Sequence, residues 1–100
     1  MSKLRKSAKG KYCQIRIPTY CLHNPETVCL CHMNGYGWAK KSLYIHASYG
    51  CQVCHDIVDG RKKTRWSPET IKLWFLEGII RTQEMMWKEG LITEQRRKNE

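Results

Sequence analysis

The side chains of this chain best suited to chemistry are its six cysteines and four histidines, in a sequence of 100 residues. The cysteines are Cys13, Cys21, Cys29, Cys31, Cys51 and Cys54. An even number of cysteines in a short chain fits either a disulfide framework or a metal site. The basic start MSKLRKSAKGK has no apolar core after it, so we expect no signal peptide and favour metal binding in a reducing compartment.

The CxxC motif Cys51-Gln-Val-Cys54 is the sharpest of these signals. Such a turn directs two thiolates at one point, which suits tetrahedral zinc with Zn–S bonds of about 2.3 Å. Cys13 and Cys21 flank QIRIPTY, whose proline turn can bring two more sulfurs to the same ion. The spacing predicts a structural zinc held by four cysteines. A redox CxxC of thioredoxin type is the alternative, which the lack of a βαβ pattern disfavours.

The elements that must position these residues are three predicted strands and two predicted helices. Ile15 and Ile17 alternate with Arg16 as in a half-buried strand, and TVCLCHM predicts a strand that ends near His32. A return strand is expected around residues 42–45. A helix that begins at the CxxC motif would place its positive end near the thiolates.

A longer helix is predicted over residues 67–89, with Ser67 as its N-cap, Pro68 in its first turn and Gly90 after its end. Its apolar stripe is expected to lie in the core. It consists of Leu73, Leu76, Ile80, Trp87 and, past the cap, Leu91, and is widened by Trp74 and Phe75. Together the elements predict a small α+β domain.

The length of the chain limits its domain organisation, and its net charge indicates which partners it can bind. A chain of this size allows one domain, and we expect a flexible basic arm at 1–11, a single domain at 12–92 with its core at 13–61, and a polar tail at 93–100. The longest apolar stretches fall far short of the roughly 20 residues of a membrane span. The formal net charge of +9 indicates a nucleic-acid partner, with no membrane partner. The expected contacts are Lys9, Lys11, Arg16, Arg61, Lys62, Lys63 and Arg65. The oligomeric state stays open.

The order of a cysteine pair, a strand ending at His32, an aromatic and glycine-rich loop and then CxxC-His55 resembles the HNH, or ββα-metal, nucleases that carry a structural zinc. The chain is more closely similar to the YbcO family of prophage nucleases. This resemblance covers nearly the whole chain and includes LRK, CQIRIP, the NPET turn, CQVCHDIVDGR, LEGIIRTQ and WKEG.

The resemblance implies a zinc-stapled, HNH-like domain of treble-clef type with an added C-terminal helix, acting on DNA in the cytoplasm of a bacterial host. It assigns the structural zinc to Cys13, Cys21, Cys51 and Cys54. His32 would be the general base that activates water against a phosphodiester. His55 would hold a catalytic divalent ion, Mg²⁺ or another, and Asp59 is a candidate second ligand one helical turn later.

Several departures keep alternatives open. Many HNH enzymes carry His or Asp immediately before the general base as a metal ligand, and here that position is Cys31. A thiolate prefers zinc to magnesium, so a softer ion, fewer protein ligands or no catalytic ion are alternatives. Cys29 and Cys31 are expected to be strand-packed thiols, with a second zinc site shared with His32 as the alternative. His46 would support its loop or bind metal.

Each histidine and the function as a whole also have a plainer interpretation. His32 could be a buried, hydrogen-bonded side chain, His55 a zinc ligand in place of one cysteine, and Asp59 a helix cap. The main expectation is a metal-dependent DNA endonuclease. One alternative is a non-catalytic, zinc-stapled nucleic-acid-binding module of phage origin, in which Trp38 and Trp66 stack on bases. The other is a protein adaptor that uses the long helix.

Overall fold

The computed structural model describes residues 3–33 and 45–92. Its elements are helix α1 (Lys3–Ser7), a 3-10 turn (Pro25–Thr27), strand β1 (Cys29–His32), strand β2 (Ala47–Gly50), helix α2 (Gln52–Val58) and helix α3 (Pro68–Lys88). The α+β class is confirmed, with a two-stranded sheet followed by helix α2. Within the described residues, no helix has both the length and the apolar character needed to cross a membrane.

The two strands form an antiparallel hairpin. Cys29 pairs with Gly50 and His32 pairs with Ala47 at its two ends. The return strand therefore lies later than the expected 42–45, because it is formed by the fully buried run Ala47–Gly50. Ile45 lies in a turn, and residues 42–44 lie outside the described part of the chain.

The strand predicted around Ile15 and Ile17 is wrong, because these residues lie in an irregular loop. Arg16 has φ of 54° and Thr19 has φ of 74°, and both values belong to the left-handed region that strands do not use. The alternation itself is real: both isoleucines are buried and Arg16 is exposed. The pattern arises from a loop that wraps over the core, with Gln14 N donating to Tyr49 O at 2.8 Å.

Both main helices begin at the predicted signals. Cys51 is the N-cap of α2, and its sulfur accepts a hydrogen bond from Cys54 N. Ser67 caps α3, where its Oγ accepts from Thr70 N at 3.2 Å, and Pro68 follows in the first turn. Gly90, with φ of 75°, lies directly after the last turn. The bounds of α3 agree with the prediction to within one residue at each end.

Helix α3 packs on β2 through a face that only partly agrees with the predicted one. Leu73, Leu76, Ile80 and Trp87 are exposed, with fractions of 39–64%. The buried residues are Phe75, Gly78, Ile79, Thr82 and Met86. Phe75 was part of the predicted set, and Trp74 and Leu91 from that set pack, partly buried, against the same core. A Cβ on Gly78 would lie 2.6 Å from Ser48 Oγ and 3.0 Å from Gln14 O. The glycine thus sets the closest approach of helix and sheet, and that approach turns most of the predicted stripe toward solvent.

The basic N-terminal segment has more structure than a flexible arm would have. Residues Lys3–Ser7 form α1, and Ala8 after it is only 2% exposed. Ser7 Oγ and Tyr49 OH share a hydrogen bond of 2.7 Å, which joins this segment to the hairpin. The proposed division into arm, domain and tail stays a prediction, and residues 93–100 lie outside the described part of the chain.

Candidate metal centres and histidine groove

Four sulfurs meet between the N-terminal loop and the start of α2. The ligand atoms of Cys13, Cys21, Cys51 and Cys54 all lie within 4.8 Å of one another. Three of these cysteines are buried, Cys21 is half-buried, and none is in a disulfide. Four sulfurs that converge in this way can hold a metal ion such as zinc in tetrahedral coordination. We call this set the four-cysteine group.

Backbone N–H groups point at the sulfurs of the four-cysteine group. Cys13 Sγ accepts from Arg16 N at 3.5 Å, and Cys51 Sγ accepts from Leu22 N at 3.4 Å and Cys54 N at 3.5 Å. Hydrogen bonds to a charged acceptor favour its charged form, so these donors favour thiolates. The left-handed Arg16 therefore belongs to the loop that wraps the sulfur of Cys13, which explains why the alternation there did not mark a strand.

The thiols of the four-cysteine group hold their protons unequally. A hydrogen bond from Cys54 lowers the pKa of Cys13 to about 5. The same bond, together with burial, raises the pKa of Cys54 far above its ordinary value. Burial raises the pKa of Cys21 to about 12. Metal binding must therefore displace protons from thiols, and affinity should rise with pH.

A second set of metal-ligating atoms consists of Cys29, Cys31 and His55, again all within 4.8 Å. Alternate residues of β1 place both sulfurs on one face, 4.0 Å apart. His55 Nδ1 lies 3.6 Å from Cys29 Sγ. We call this set the Cys2His group. The partner of the two sulfurs is thus His55, not the His32 considered from sequence.

The other ring nitrogen of His55 faces a carboxylate. His55 Nε2 lies 3.4 Å from Asp59 Oδ2, one helical turn along α2. Arg61 Nη2 lies 2.8 Å from the same oxygen. Asp59 therefore shares a helix face with His55 as predicted, and it is held between that imidazole and a guanidinium. Its predicted role as a metal ligand stays a prediction.

His32, at the end of β1, lines an open groove of about 870 Å³ between the hairpin and the two main helices. Asp59, Lys62, Lys63 and Lys72 line the same groove. Partial burial lowers the pKa of His32 below its ordinary 6.5, and the neighbouring Arg5 and His55 lower it further. The imidazole is therefore neutral near pH 7 and able to accept a proton. We call this space the histidine groove.

The basic residues expected to contact nucleic acid divide into two groups, and four of them follow α2. Lys62 and Lys63 line the histidine groove. Arg61 is paired with Asp59 and, at 3.8 Å, with Asp56. Arg65 lies over the Trp66 ring, 4.8 Å from its centroid. This part of the prediction thus yields two lysines that line the groove, of which Lys62 also lies over the Tyr20 ring at 5.9 Å from its centroid, and two arginines held by neighbours.

The other three expected contacts lie away from the groove. Lys11 Nζ forms an ion pair of 2.7 Å with Glu89, and Arg16 Nε donates to Cys13 O at 3.3 Å. Lys9 is exposed. Sequence reasoning missed Lys72, which reaches the groove from α3. Lys72 lies four residues after Pro68, which also lines the groove, and residues four apart share a helix face. This spacing was the signal in the sequence that could have identified Lys72.

The remaining residues singled out from sequence are His46, Trp66 and Trp38, and of these Trp66 lines the histidine groove. His46 is exposed and belongs to neither metal-ligating group among the described residues. Trp66 packs edge-on against Trp74, with ring centroids 5.2 Å apart. Trp38 lies outside the described part of the chain.

A hairpin followed by a helix that opens on a four-cysteine group defines a small, cysteine-rich α+β protein whose sulfurs could hold a metal ion. Within that class the family can be named. The family model described as "Putative nuclease YbcO" matches residues 2–91, and the chain belongs to this family.

Two curated relatives and one solved structure are similar to the chain. It is 41% identical over 95 residues to "Putative nuclease YbcO" of Escherichia coli (strain K12), which covers 92% of this chain and 98% of the relative. The same values hold for "Putative nuclease ybcO" of Enterobacteria phage 82. A solved structure of a putative bacteriophage protein from Escherichia coli K-12 MG1655 superposes with a TM-score of 0.75 at 40% identity. It covers 88% of this chain and 100% of that one.

Proposed function

We propose that this protein is a metal-dependent endonuclease that hydrolyses DNA, with His32 as its general base. The observation that carries the proposal is the position of His32 in a groove lined by three lysines. Both relatives carry the name "Putative nuclease", and one of them is from a phage, which supports both the activity and a phage origin. We infer that this protein acts in the cytoplasm of a bacterial host.

In this mechanism His32 takes a proton from the water that attacks the phosphorus atom. The lowered pKa of His32 suits that role, because a base must be neutral before it accepts a proton. Lys62, Lys63 and Lys72 hold the phosphates on either side of the scissile bond. A divalent ion at His55, when bound, would stabilise the charge that develops on the phosphate and the leaving oxygen.

The donors around His55 suit a zinc-type ion better than Mg²⁺. Its Nδ1 faces the sulfur of Cys29, and its Nε2 faces Asp59. Magnesium prefers oxygen ligands, whereas thiolate and imidazole suit zinc. For this reason we keep His55 as the expected ligand of the catalytic ion and treat Asp59 as the residue that orients its ring.

The structural ion of the proposal is a zinc in the four-cysteine group. It would tie the loop between Cys13 and Cys21 to the first turn of α2. The N–H donors to Cys13 and Cys51 support this assignment, since they favour the thiolate form that zinc requires.

The proposal is tested by nicking of supercoiled plasmid. Zinc-loaded protein is incubated with Mg²⁺, Mn²⁺, Ni²⁺ or added Zn²⁺, beside His32→Ala and a matched control, His46→Ala. We expect nicking by the wild type and by the control, and none by His32→Ala, whose DNA binding is retained in a separate gel-shift assay. Equal nicking by His32→Ala would refute the assignment of the base.

A second candidate function is a nucleic-acid-binding module without catalysis. The sulfur-rich surroundings of His55 favour it, because they depart from the oxygen donors of a magnesium site. The same plasmid assay separates the two functions. Folded protein that binds DNA with a strong dependence on salt, and that nicks plasmid, single-stranded and branched DNA with none of the ions, would be such a module.

A further inference from the structure

We propose that Cys29, Cys31 and His55 form a second metal centre, which binds one zinc-class ion apart from the four-cysteine group. The two sets share no residue. The inference concerns the ion of the proposed nuclease, and it rests on the proposed function only for the role of that ion in cleavage.

The hairpin makes room for the sulfurs of this centre. Cys29 and Cys31 are two residues apart on β1, so their side chains share a face. Opposite them, Gly50 lies so close that an added Cβ would be 2.8 Å from Cys31 Sγ. Any larger residue at that position would have to displace the sulfur. The glycine on β2 thus keeps the space that the second sulfur occupies.

Helix α2 presents His55 to the two sulfurs with the ring already oriented. Nδ1 faces Cys29, and the opposite nitrogen faces Asp59, which is itself held by Arg61. Metal-ligating histidines usually direct their second nitrogen at a carboxylate or carbonyl, which fixes the tautomer and makes the ligand more basic. His55, Asp59 and Arg61 have this arrangement, in which Nδ1 of His55 is the nitrogen that would bind the ion.

The donor atoms of the Cys2His group indicate which metal ion it would bind, and the number and exposure of its ligands indicate whether the site could be catalytic. Two thiolates and an imidazole are soft to intermediate donors, so they favour zinc over magnesium or calcium. Three protein ligands leave one tetrahedral position for water or a substrate oxygen, as in catalytic zinc sites. Cys31 is fully buried, whereas Cys29 and His55 are half-buried, so two of the three ligands are accessible from the surface.

The competing explanation is a pair of packed thiols. Cys31 Sγ lies 3.8 Å from both Cys29 O and Gly50 O, distances that suit weak thiol hydrogen bonds. A packed pair accounts for the sulfurs, but it does not account for a histidine whose second nitrogen is directed at a carboxylate. The two explanations differ in the number of ions that the folded protein holds.

The test is the zinc content of the intact, reduced protein, measured by native mass spectrometry after equilibration with zinc and removal of the excess. We expect two zinc ions per chain in the wild type. We expect one in Cys29→Ser and one in His55→Ala, which differ in chemistry but empty the same centre. His46→Ala is the matched histidine control and keeps two. Cys29 is substituted rather than Cys31, because the buried Cys31 is more important for packing.

One zinc ion in the folded wild type would overturn the inference, as would two ions retained in both Cys29→Ser and His55→Ala. Circular dichroism confirms that each variant is folded. Two zinc ions per chain without nicking would support the second metal centre and refute the proposed nuclease activity. One ion with His32-dependent nicking would do the reverse, so the two proposals fail separately.

Discussion

Removal of the proposed zinc ion from the four-cysteine group is expected to unfold the protein. The segment between Cys13 and Cys21 carries Ile15 and Ile17, which are 1% and 0% exposed. Burial of an isoleucine side chain contributes about 1.5–3 kcal/mol, so releasing both would cost about 3–6 kcal/mol. A domain has only about 5–15 kcal/mol of stability in total. A structural zinc itself contributes about 10–16 kcal/mol of binding free energy to folding.

The assay is thermal unfolding followed by far-ultraviolet circular dichroism, before and after treatment with a strong chelator, with zinc content measured on the same samples. We expect the cooperative transition to disappear with the zinc and to return when zinc is added back. Cys51→Ser should behave like the chelated wild type. A zinc-free protein that keeps the melting temperature of the loaded form would refute the reasoning.

Three further predictions follow from single residues. His32→Ala should lower the nicking rate by about 10²–10⁴-fold. In the wild type the rate should fall as pH drops through a pKa below 6.5, because burial holds the folded-state pKa of His32 under its ordinary value; an acid limb above 6.5 would contradict this. Lys72→Ala should weaken binding to all DNA sequences and reduce the slope of log affinity against log salt by about 1, whereas Lys88→Ala, outside the groove, should leave the slope unchanged. Gly78→Ala should destabilise the protein by about 1–3 kcal/mol, since its Cβ would overpack against Ser48 and the Gln14 carbonyl, and an unchanged or raised melting temperature would show that the helix can shift.

The features that the sequence predicted correctly are those with a local cause. Ser67-Pro68 and Gly90 bound α3 because capping and the left-handed turn depend on the few residues around them. The CxxC motif marked the start of α2 for the same reason, since Cys51 caps the helix with its own sulfur. The grouping of Cys13 and Cys21 with the CxxC pair also agrees with the structure, because a proline turn between them shortens the loop.

The features that were missed depend on contacts distant in sequence. Ile80 looks like a core residue on a helical wheel, but the close approach at Gly78 turns it outward. Arg16 breaks an apparent strand because its N–H donates to Cys13, a contact that only the folded loop reveals. His55 lies beside Cys29 and Cys31 because of the register of the hairpin and the direction in which α2 leaves it. The spacing of these residues in the sequence predicts neither of these two features.

The two metal-ligating groups meet on one short helix, and this affects how metal dependence can be tested. Cys51 and Cys54 at the start of α2 belong to the four-cysteine group, and His55 is the next residue. A chelator that removes the structural ion would therefore also release the helix that positions His55. Inhibition by a chelator is then no evidence for a catalytic ion. The substitutions that separate the two roles are Cys29→Ser and His55→Ala, because they leave all four cysteines of the structural group in place. Loss of nicking in these variants, with one zinc retained and the melting transition intact, would assign the second ion to catalysis.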